Sequence, residues 1–276
     1  MPAIRNTVIP LLFALLSINL YGGYEPSSGG ARSAGMGGAA AGLKGFWSLQ
    51  NNQAGLAALD AFTVGTFYEN RFLINELGFK SIGMALPTAT GTFGLSLSQF
   101  GYTCYSENKI GLAYAREFTE DFSAGIQLDY LYTHIAEDFE AFGQLSFEIG
   151  LQYALNEKII IGAHVFNPLD IDFIDEEQRE EIPSVFKLGL VCYFNDNLLI
   201  TTEAEKNTMY SLNLKTGIEY TALDFMELRM GVATDPVQFS FGTGFRIRKL
   251  KLDIASSYHQ VLGFSPQISL VYSFKR

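Results

Sequence analysis

Charged side chains that alternate with apolar ones are the residues of this sequence best suited to chemistry. They fall on the polar face of predicted β-strands, where a carboxylate or a basic group could line a path for a solute or an ion. The set comprises Asp129, Glu148, Lys187, Glu203, Glu205, Lys215, Glu219, Glu227, Arg229, Arg246, Lys251 and Asp253. No two have a spacing that indicates acid–base catalysis, and no serine lies in the sharp turn of a hydrolase nucleophile. We therefore expect no catalytic residue and no enzymatic activity, and we favour ion pairing in a polar interior over a substrate path.

Metal binding is the other chemistry to consider, since the chain has three histidines and two cysteines. Cys104 and Cys192 lack the neighbouring cysteines or histidines of a zinc site, and two cysteines are too few for a disulfide framework. By the strand pattern, His134, His164 and His259 all lie toward one end of the strands, at the rim. Rim histidines are usually ordinary polar residues, so we expect no metal and no cofactor.

Strands must position these side chains, because apolar and polar residues alternate in repeated runs from residue 62 onward. Alternation places one set of side chains on each face of a strand. We predict fourteen strands, at residues 62–69, 75–86, 91–100, 109–116, 122–133, 143–153, 158–166, 184–193, 197–205, 209–220, 225–234, 238–247, 249–258 and 266–274. Most approach the ~9–11 residues that a tilted strand needs to cross a bilayer. The predicted fold is therefore all-β, a transmembrane antiparallel outer-membrane β-barrel with an apolar face toward lipid and a polar lumen.

A soluble β-sandwich is the alternative all-β fold, since its strands also alternate. Long strands, aromatic strand ends and glycines opposite charges favour the barrel. One predicted strand is irregular, because Phe79 lies on one phase whereas Ile82 and Met84 lie on the other. A bulge near Lys80 and Ser81 would reconcile the two phases. We expect short turns at the end of the barrel that carries both termini and longer loops at the other end.

The last predicted strand carries the clearest membrane pattern. Ile268, Leu270, Tyr272 and Phe274 share one face, and the opposite face is mostly polar. This strand resembles the closing strand of bacterial outer-membrane barrels, whose terminal aromatic residue is read by the insertion machinery. Two basic residues follow the aromatic here, where those strands usually stop.

Composition limits the partners of the chain. The net charge is −10, which argues against a nucleic-acid partner because such proteins need a basic surface. Phe and Tyr supply nearly all of the aromatic residues, which suits strands and the aromatic girdles of barrels. We expect outer-membrane lipid and a protein of the cell envelope as partners, and no nucleic acid.

The first residues predict export from the cytoplasm. Arg5 is followed by an apolar run over residues 8–20 and by the small residues Gly22 and Gly23. This order of charge, apolar run and small residues is typical of a secretory signal peptide. We predict a signal peptide at residues 1–22.

Residues 29–42 are almost all small, and they begin the most specific motif of the sequence. A phosphate-binding loop would need a strand before the glycines and a Lys-Ser or Lys-Thr pair after them, and both are missing. The run GARSAGMGGAAAGLKGFWSLQNNQAGLA resembles the N-terminal signature of the PorV/PorQ family and, more widely, of FadL-like outer-membrane proteins. The matching residues are Gly30, Ala31, Arg32, Gly35, Met36, Gly37, Gly38, Trp47, Asn52, Gly55 and Leu56. Gln53 stands where these proteins usually have proline.

The resemblance implies a division of the chain. Residues 24–60 would fold into the lumen as a plug, and small residues suit such a confined space because glycine lets one backbone approach another. The barrel would then span residues 61–276 and lie in the outer membrane after cleavage of the signal peptide.

Residues 167–183 form the longest predicted loop and carry seven carboxylates. A calcium-binding loop would need a central glycine, which is missing here. Exposed apolar residues beside the charges need cover from the barrel mouth or from another protein. The candidate partner loop therefore comprises Leu169, Ile171, Phe173 and Ile174.

The resemblance leaves three functional hypotheses. PorV/PorQ-type proteins of Bacteroidota serve type IX secretion, which implies a non-enzymatic role in protein secretion or in the docking of surface proteins. FadL-like proteins imply the alternative, a channel for hydrophobic small molecules. A structural subunit of another envelope complex is the third hypothesis. We rank secretion ahead of the channel, because the longest loop is acidic rather than an apolar cleft.

Overall fold

Fourteen antiparallel strands close into a barrel in the computed structural model, which describes residues 29–136, 142–168 and 182–274. The strands are β1 Phe62–Asn70, β2 Gly78–Thr88, β3 Gly91–Gly101, β4 Tyr105–Glu117, β5 Phe122–Ile135, β6 Phe142–Asn156, β7 Ile159–Phe166, β8 Val185–Asn195, β9 Leu198–Asn207, β10 Leu212–Leu223, β11 Met226–Thr234, β12 Val237–Ile247, β13 Leu250–His259 and β14 Gly263–Phe274. Each strand pairs with the next along the chain, and β1 pairs with β14 from Phe62 opposite Phe274 to Glu69 opposite Gln267. The predicted fold class and strand number are confirmed.

The two faces of the wall differ as alternation requires. Large apolar side chains face outward, and the exposed fraction reaches 59% at Leu188 and 61% at Met230. Polar and charged side chains at the intervening positions face the interior, where Asp129 is fully buried and Glu148 is 1% exposed. An apolar exterior around a polar interior is the pattern of a barrel that spans a membrane.

The closing strand has the predicted faces. Ile268, Leu270, Tyr272 and Phe274 point outward and lie beside outward residues of β1 and β13. The Phe274 ring lies 5.2 Å from that of Phe62, centroid to centroid, at the seam between first and last strands. Aromatic contacts of this kind add to the backbone ladder that closes the wall.

The two ends of the barrel differ in their connections. We name the end that carries Phe62 and Phe274 the terminus end, and the opposite end the loop end. Turns at the terminus end are two to four residues long, as at residues 89–90 and 248–249. Connections at the loop end reach eighteen residues, at 167–184. This difference agrees with the expected arrangement of short turns and long loops.

The predicted bulge in β2 is wrong. The pairing of β2 with β1 and with β3 runs through Lys80 and Ser81 without a shift in register. Phe79 instead points inward and is buried, whereas Lys80 points outward. An apolar inward residue broke the pattern because the inner face of β1 and β2 contacts another apolar surface, not a polar lumen.

That surface belongs to residues 29–60, which lie inside the barrel and which we name the plug segment. The segment contains helix α1 (Ala31–Ala34), helix α2 (Ser48–Asn51) and a 3-10 helix (Gln53–Ala58). Among the described residues, no helix is long and apolar enough to cross a membrane. Residues 1–28 lie outside the described part of the chain, so the signal peptide and the domain boundaries stay predictions.

Strand glycines make room for the plug segment. A Cβ atom at Gly231 would overlap the backbone of Met36 and Gly37, and one at Gly162 would overlap the backbone of Ala41. A Cβ atom at Gly189 would lie 3.0 Å from that of Ala41. The plug backbone therefore contacts the wall directly at Gly162 and Gly231, where only glycine leaves enough room.

An apolar cluster packs one side of the plug against the wall. Phe46, Trp47 and Leu49 of the plug contact Phe67 of β1 and Phe79 of β2. The ring centroids of Trp47 and Phe67 are 5.9 Å apart at an angle of 65°. Burial of this many rings stabilises the second half of the plug inside the barrel.

Candidate functional site

Arg229 is the centre of the largest group of interior charges. Its Nε–H donates to Glu219 at 2.6 Å, its Nη1 donates to Asp253 at 2.8 Å, and its Nη2 donates to Glu227. Arg246 also donates to Glu227, at 3.0 Å. The Arg229 side chain is fully buried, so its charge is compensated by carboxylates rather than by water.

Arg32 joins the plug segment to this group. Its Nε–H donates to Glu219 Oε2 at 2.8 Å and its Nη2 donates to Glu219 Oε1 at 2.6 Å, a bidentate pair. Burial alone would lower the pKa of Arg32, but the charge and hydrogen bonds of Glu219 outweigh burial and raise the pKa above its ordinary value. Arg32 therefore stays charged at neutral and at mildly alkaline pH.

A second group of charges lies on β8, β9 and β10. Lys215 Nζ is 2.7 Å from Glu205 and 3.5 Å from Glu203, and Lys187 Nζ is 3.5 Å from Glu205. Glu203 also accepts the backbone N–H groups of Ala40 and of the next residue, at 2.9 and 2.7 Å. This carboxylate therefore holds the middle of the plug segment.

A third group surrounds Glu148 on β6. Its carboxylate accepts from Lys109 at 2.6 Å, from Gln127 at 3.0 Å and from Gln53 of the plug at 2.7 Å. His164 Nε2 lies 2.8 Å from the same carboxylate. His164 lies toward the loop end of β7, as predicted, but its side chain is buried against Glu148 and is not an ordinary exposed rim residue.

The predicted inward charges all lie on the inner face, and the structure sorts them into the three groups. Three further inward charges were missed in the sequence: Glu69, Glu107 and Lys109. Each stands at or beyond the end of a predicted strand, and β1 and β4 are longer than predicted. The continued alternation of polar and apolar residues beyond those ends was the signal that could have found them.

Hydrogen bonds between uncharged groups hold Asn52 of the plug signature and the residues around it. The Asn52 amide donates to the carbonyl oxygen of Ala41 at 2.6 Å and to that of Leu151 on β6 at 3.1 Å. Gln152 donates back to the carbonyl oxygens of Ala41 and Leu43, each at 3.0 Å. The asparagine of the motif therefore ties two parts of the plug to the wall.

The remaining signature residues shape the plug backbone. Gly30 has φ +87° and precedes α1, and Gly37 and Gly38 have φ +70° and +80°. Ala31 N–H donates to Ser269 Oγ of β14 at 3.2 Å. The others are buried within the plug or against the wall: Gly35, Met36, Gly55 and Leu56.

Two cavities of small-molecule size lie among the described residues, one on each side of the plug segment. The loop-end cavity has a volume of about 400 Å³ and is mostly polar, with lining residues that include Lys187, Glu205 and Ser257. The terminus-end cavity has a volume of about 340 Å³ and is bounded by Trp47 and by the β12–β13 turn.

Helix α1 forms the partition between the cavities. Ala34 lines the loop-end cavity, whereas Arg32 and Ser33 line the terminus-end cavity. Only one helical turn, held to the wall by the pair of Arg32 with Glu219, stands between them at this place. Helix α1 therefore borders both cavities.

The structure describes the three histidines considered as metal ligands, but not the residues of the candidate partner loop. Within residues 29–136, 142–168 and 182–274, no group of three or more histidine, cysteine, aspartate or glutamate side chains is arranged to hold a metal ion. His134 is exposed and His259 is half-buried near the loop end. The candidate partner-loop residues lie outside the described residues: Leu169, Ile171, Phe173 and Ile174.

Comparison with known proteins gives similarity in structure only. No protein-family model matches the sequence, and no curated protein matches it. A FadL homologue of Pseudomonas aeruginosa superposes with a TM-score of 0.67 at 14% identity, over 92% of this chain and 100% of that chain. The toluene transporters TodX of Pseudomonas putida and TbuX of Ralstonia pickettii superpose with TM-scores of 0.68 and 0.67, at 12% and 13% identity, each over 91% of this chain and 100% of the other. The chain therefore has the FadL-like barrel fold.

Proposed function

We propose that this chain is an outer-membrane channel that passes small hydrophobic molecules through a plugged barrel. The main support for this proposal is that two cavities of small-molecule size lie on opposite sides of α1 inside the barrel. The apolar exterior supports a position in the membrane. The similarity to toluene transporters supports a hydrophobic substrate class.

The secretion role implied by the sequence motif takes second place. Its candidate loop lies outside the described residues, whereas the cavities are formed by residues that are described. No contact in the described part of the chain favours a protein partner over a small molecule.

Uptake of radiolabelled toluene by intact cells tests the channel. Cells with a lipopolysaccharide outer membrane are required, because a plain phospholipid bilayer already passes toluene. We expect faster uptake in cells that produce this chain than in cells with the empty vector. Equal uptake in the two strains would contradict the proposal.

Two neighbouring serines on β13 give a matched pair of variants. Ser257 lines the loop-end cavity, whereas Ser256 faces outward between Phe241 and Pro266 on the adjacent strands. Ser257→Trp should fill the cavity and slow uptake, and Ser256→Trp should leave uptake unchanged because tryptophan is tolerated on a membrane-facing surface. Immunoblots of outer-membrane fractions establish equal amounts of each variant.

A further inference from the structure

We propose that the terminus-end cavity is a binding site for a small organic anion with an apolar body. The proposal goes beyond the proposed function, because an anion is a different class of ligand from the neutral hydrophobic molecules that we propose for the channel. It stands on two observations: an excess of basic side chains and an apolar wall.

Basic side chains outnumber carboxylates around this cavity. Six of the nineteen lysines and arginines of the chain line it, in a protein of net charge −10. They are Arg32, Lys44, Arg246, Arg248, Lys249 and Lys251. Two carboxylates line the same cavity, Asp60 and Asp253. The local balance therefore favours a negatively charged ligand.

Part of this positive charge is already compensated. Arg32 pairs with Glu219, whereas Arg246 and Lys251 pair with Glu227 at 3.0 and 2.9 Å. For Arg248, no carboxylate lies within ion-pairing distance among the residues that the structure describes. Its guanidinium is the group best placed to bind an anion.

Lys44 also makes no ion pair with any described residue. It borders a second, very small cavity beside Glu117, Glu120 and Asp121 at the β4–β5 turn. Those carboxylates reduce the local positive potential at Lys44, so we assign it the weaker part in anion binding.

The rest of the wall suits the body of an organic molecule. Leu43, Phe46, Leu59 and Leu250 contribute apolar surface beside the basic groups. A volume of about 340 Å³ lies within the ~300–1,000 Å³ of small-molecule sites, which combine apolar walls with a few polar groups. One aromatic ring with a carboxylate would match both size and chemistry.

Trp47 is the spectroscopic reporter of this cavity. Its side chain lines the cavity and is 9% exposed, so a ligand bound there changes the surroundings of its ring.

The site takes its ligand from solution. Arg248 and Lys249 form the exposed turn between β12 and β13, so the cavity opens at the terminus end of the barrel. The closed wall separates the cavity from the lipid outside. A soluble anion can enter, whereas a bilayer lipid would first have to leave the membrane.

Fluorescence provides a direct test, because Trp47 is the only tryptophan in the chain. The protein is purified in a neutral detergent and titrated with benzoate and, separately, with benzamide, a neutral molecule of nearly the same shape. We expect benzoate to change Trp47 fluorescence saturably, to bind at least tenfold more tightly than benzamide, and to bind more weakly as salt is added.

Arg248→Gln and Lys158→Gln form the matched pair of variants. Lys158 lies in the β6–β7 turn at the same end of the barrel, is exposed and does not line the cavity. Arg248→Gln should weaken benzoate binding about tenfold, whereas Lys158→Gln should leave it unchanged. Equal binding of benzoate and benzamide, no response of Trp47, or equal effects of the two variants would overturn the proposal.

The two proposals fail separately in these experiments. Saturable benzoate binding without toluene uptake would keep the anion site and remove the channel. Toluene uptake without benzoate binding would keep the channel and remove the anion site.

Discussion

At the residue scale, Arg229 shows the cost of placing charge inside this barrel. One buried guanidinium meets three carboxylates: Glu227 of its own strand, Glu219 of the adjacent strand β10, and Asp253 of β13, two strands away. Removal of one partner from a buried group of charges leaves the others uncompensated, which costs far more than the loss of an exposed ion pair. The partners of Arg229 are therefore as important as the arginine itself.

Arg229→Met should destabilise the barrel strongly. We expect the free energy of unfolding to fall by about 3–5 kcal/mol, since three buried carboxylates lose their common partner. Urea unfolding in lipid vesicles, followed by tryptophan fluorescence, measures the change. Arg246→Met is the control, because the Arg246 side chain is 59% exposed and pairs with Glu227 alone, and it should cost less than about 1 kcal/mol. Equal costs would mean that Arg229 is compensated by water instead.

The sequence predicted most of the charges that point inward, but not which charges meet. Period-two alternation assigns a face to each residue along its own strand, so the inward set followed directly. The pair of Arg32 with Glu219 joins positions 187 residues apart, and that of Gln53 with Glu148 joins positions 95 apart. Such pairs depend on how the plug enters the closed barrel, which local periodicity does not encode.

At the scale of elements, the two halves of the plug segment are held differently. The second half packs Phe46, Trp47 and Leu49 into the apolar cluster of β1 and β2. The first half, with α1, contacts glycines of the wall through its backbone and is fixed by Arg32. Motion of the plug should therefore begin at α1 and spare the second half.

Arg32→Ala should make the barrel leakier to small solutes. Loss of the bidentate pair with Glu219 releases α1, which separates the two cavities. Single-channel recordings in planar bilayers should show more frequent or larger openings than for the unchanged protein. Lys44→Ala, which removes a charge from the same segment without breaking an ion pair, should behave like the unchanged protein. Identical recordings for all three proteins would contradict the role of α1 as the partition.

Gly231→Val should displace the plug while the wall stays closed. The new side chain would overlap the backbone of Met36, whereas the strand ladder of β11 has no need of glycine. A cysteine placed at Ala40, in a background that lacks Cys104 and Cys192, reports the change through labelling with a bulky maleimide. We expect protection in the parent and labelling in the variant.

The outward substitution Met230→Val is the control for Gly231→Val, since it adds no volume to the lumen. If the cysteine at position 40 is labelled as fast in the parent protein as in Gly231→Val, the plug is accessible without displacement.

Strand number and strand faces could be predicted, whereas the apolar inner surface of β1 and β2 could not. The prediction assumed a polar lumen, so inward Phe79 looked like an error of phase and suggested a bulge. In the structure Phe79 points inward because the rings of Phe46 and Trp47 occupy that side of the lumen. An element packed against a second layer inside the barrel obeys the rules of a core, not those of a channel wall.

At the scale of the whole molecule, the apolar exterior predicts that the cost of an outward-facing arginine depends on its depth in the bilayer. Met230 and Ile247 are both 61% exposed, but Met230 lies in the middle of β11 and Ile247 ends β12. Met230→Arg should cost about 2–4 kcal/mol of unfolding free energy in lipid vesicles, and Ile247→Arg should cost about 0–1 kcal/mol. A similar cost at both positions would argue against a bilayer centred on the wall.

The seam between β1 and β14 also has a consequence for the order of assembly. Phe62 pairs with Phe274, so the wall is complete only when the end of the chain has been made. The plug segment joins directly to β1 and contacts strands all around the wall, from β1 to β14. It must therefore take its place while the sheet is still open, and pairing between such distant parts of a chain is slow to form. Until β14 pairs with β1, the wall does not enclose the plug segment.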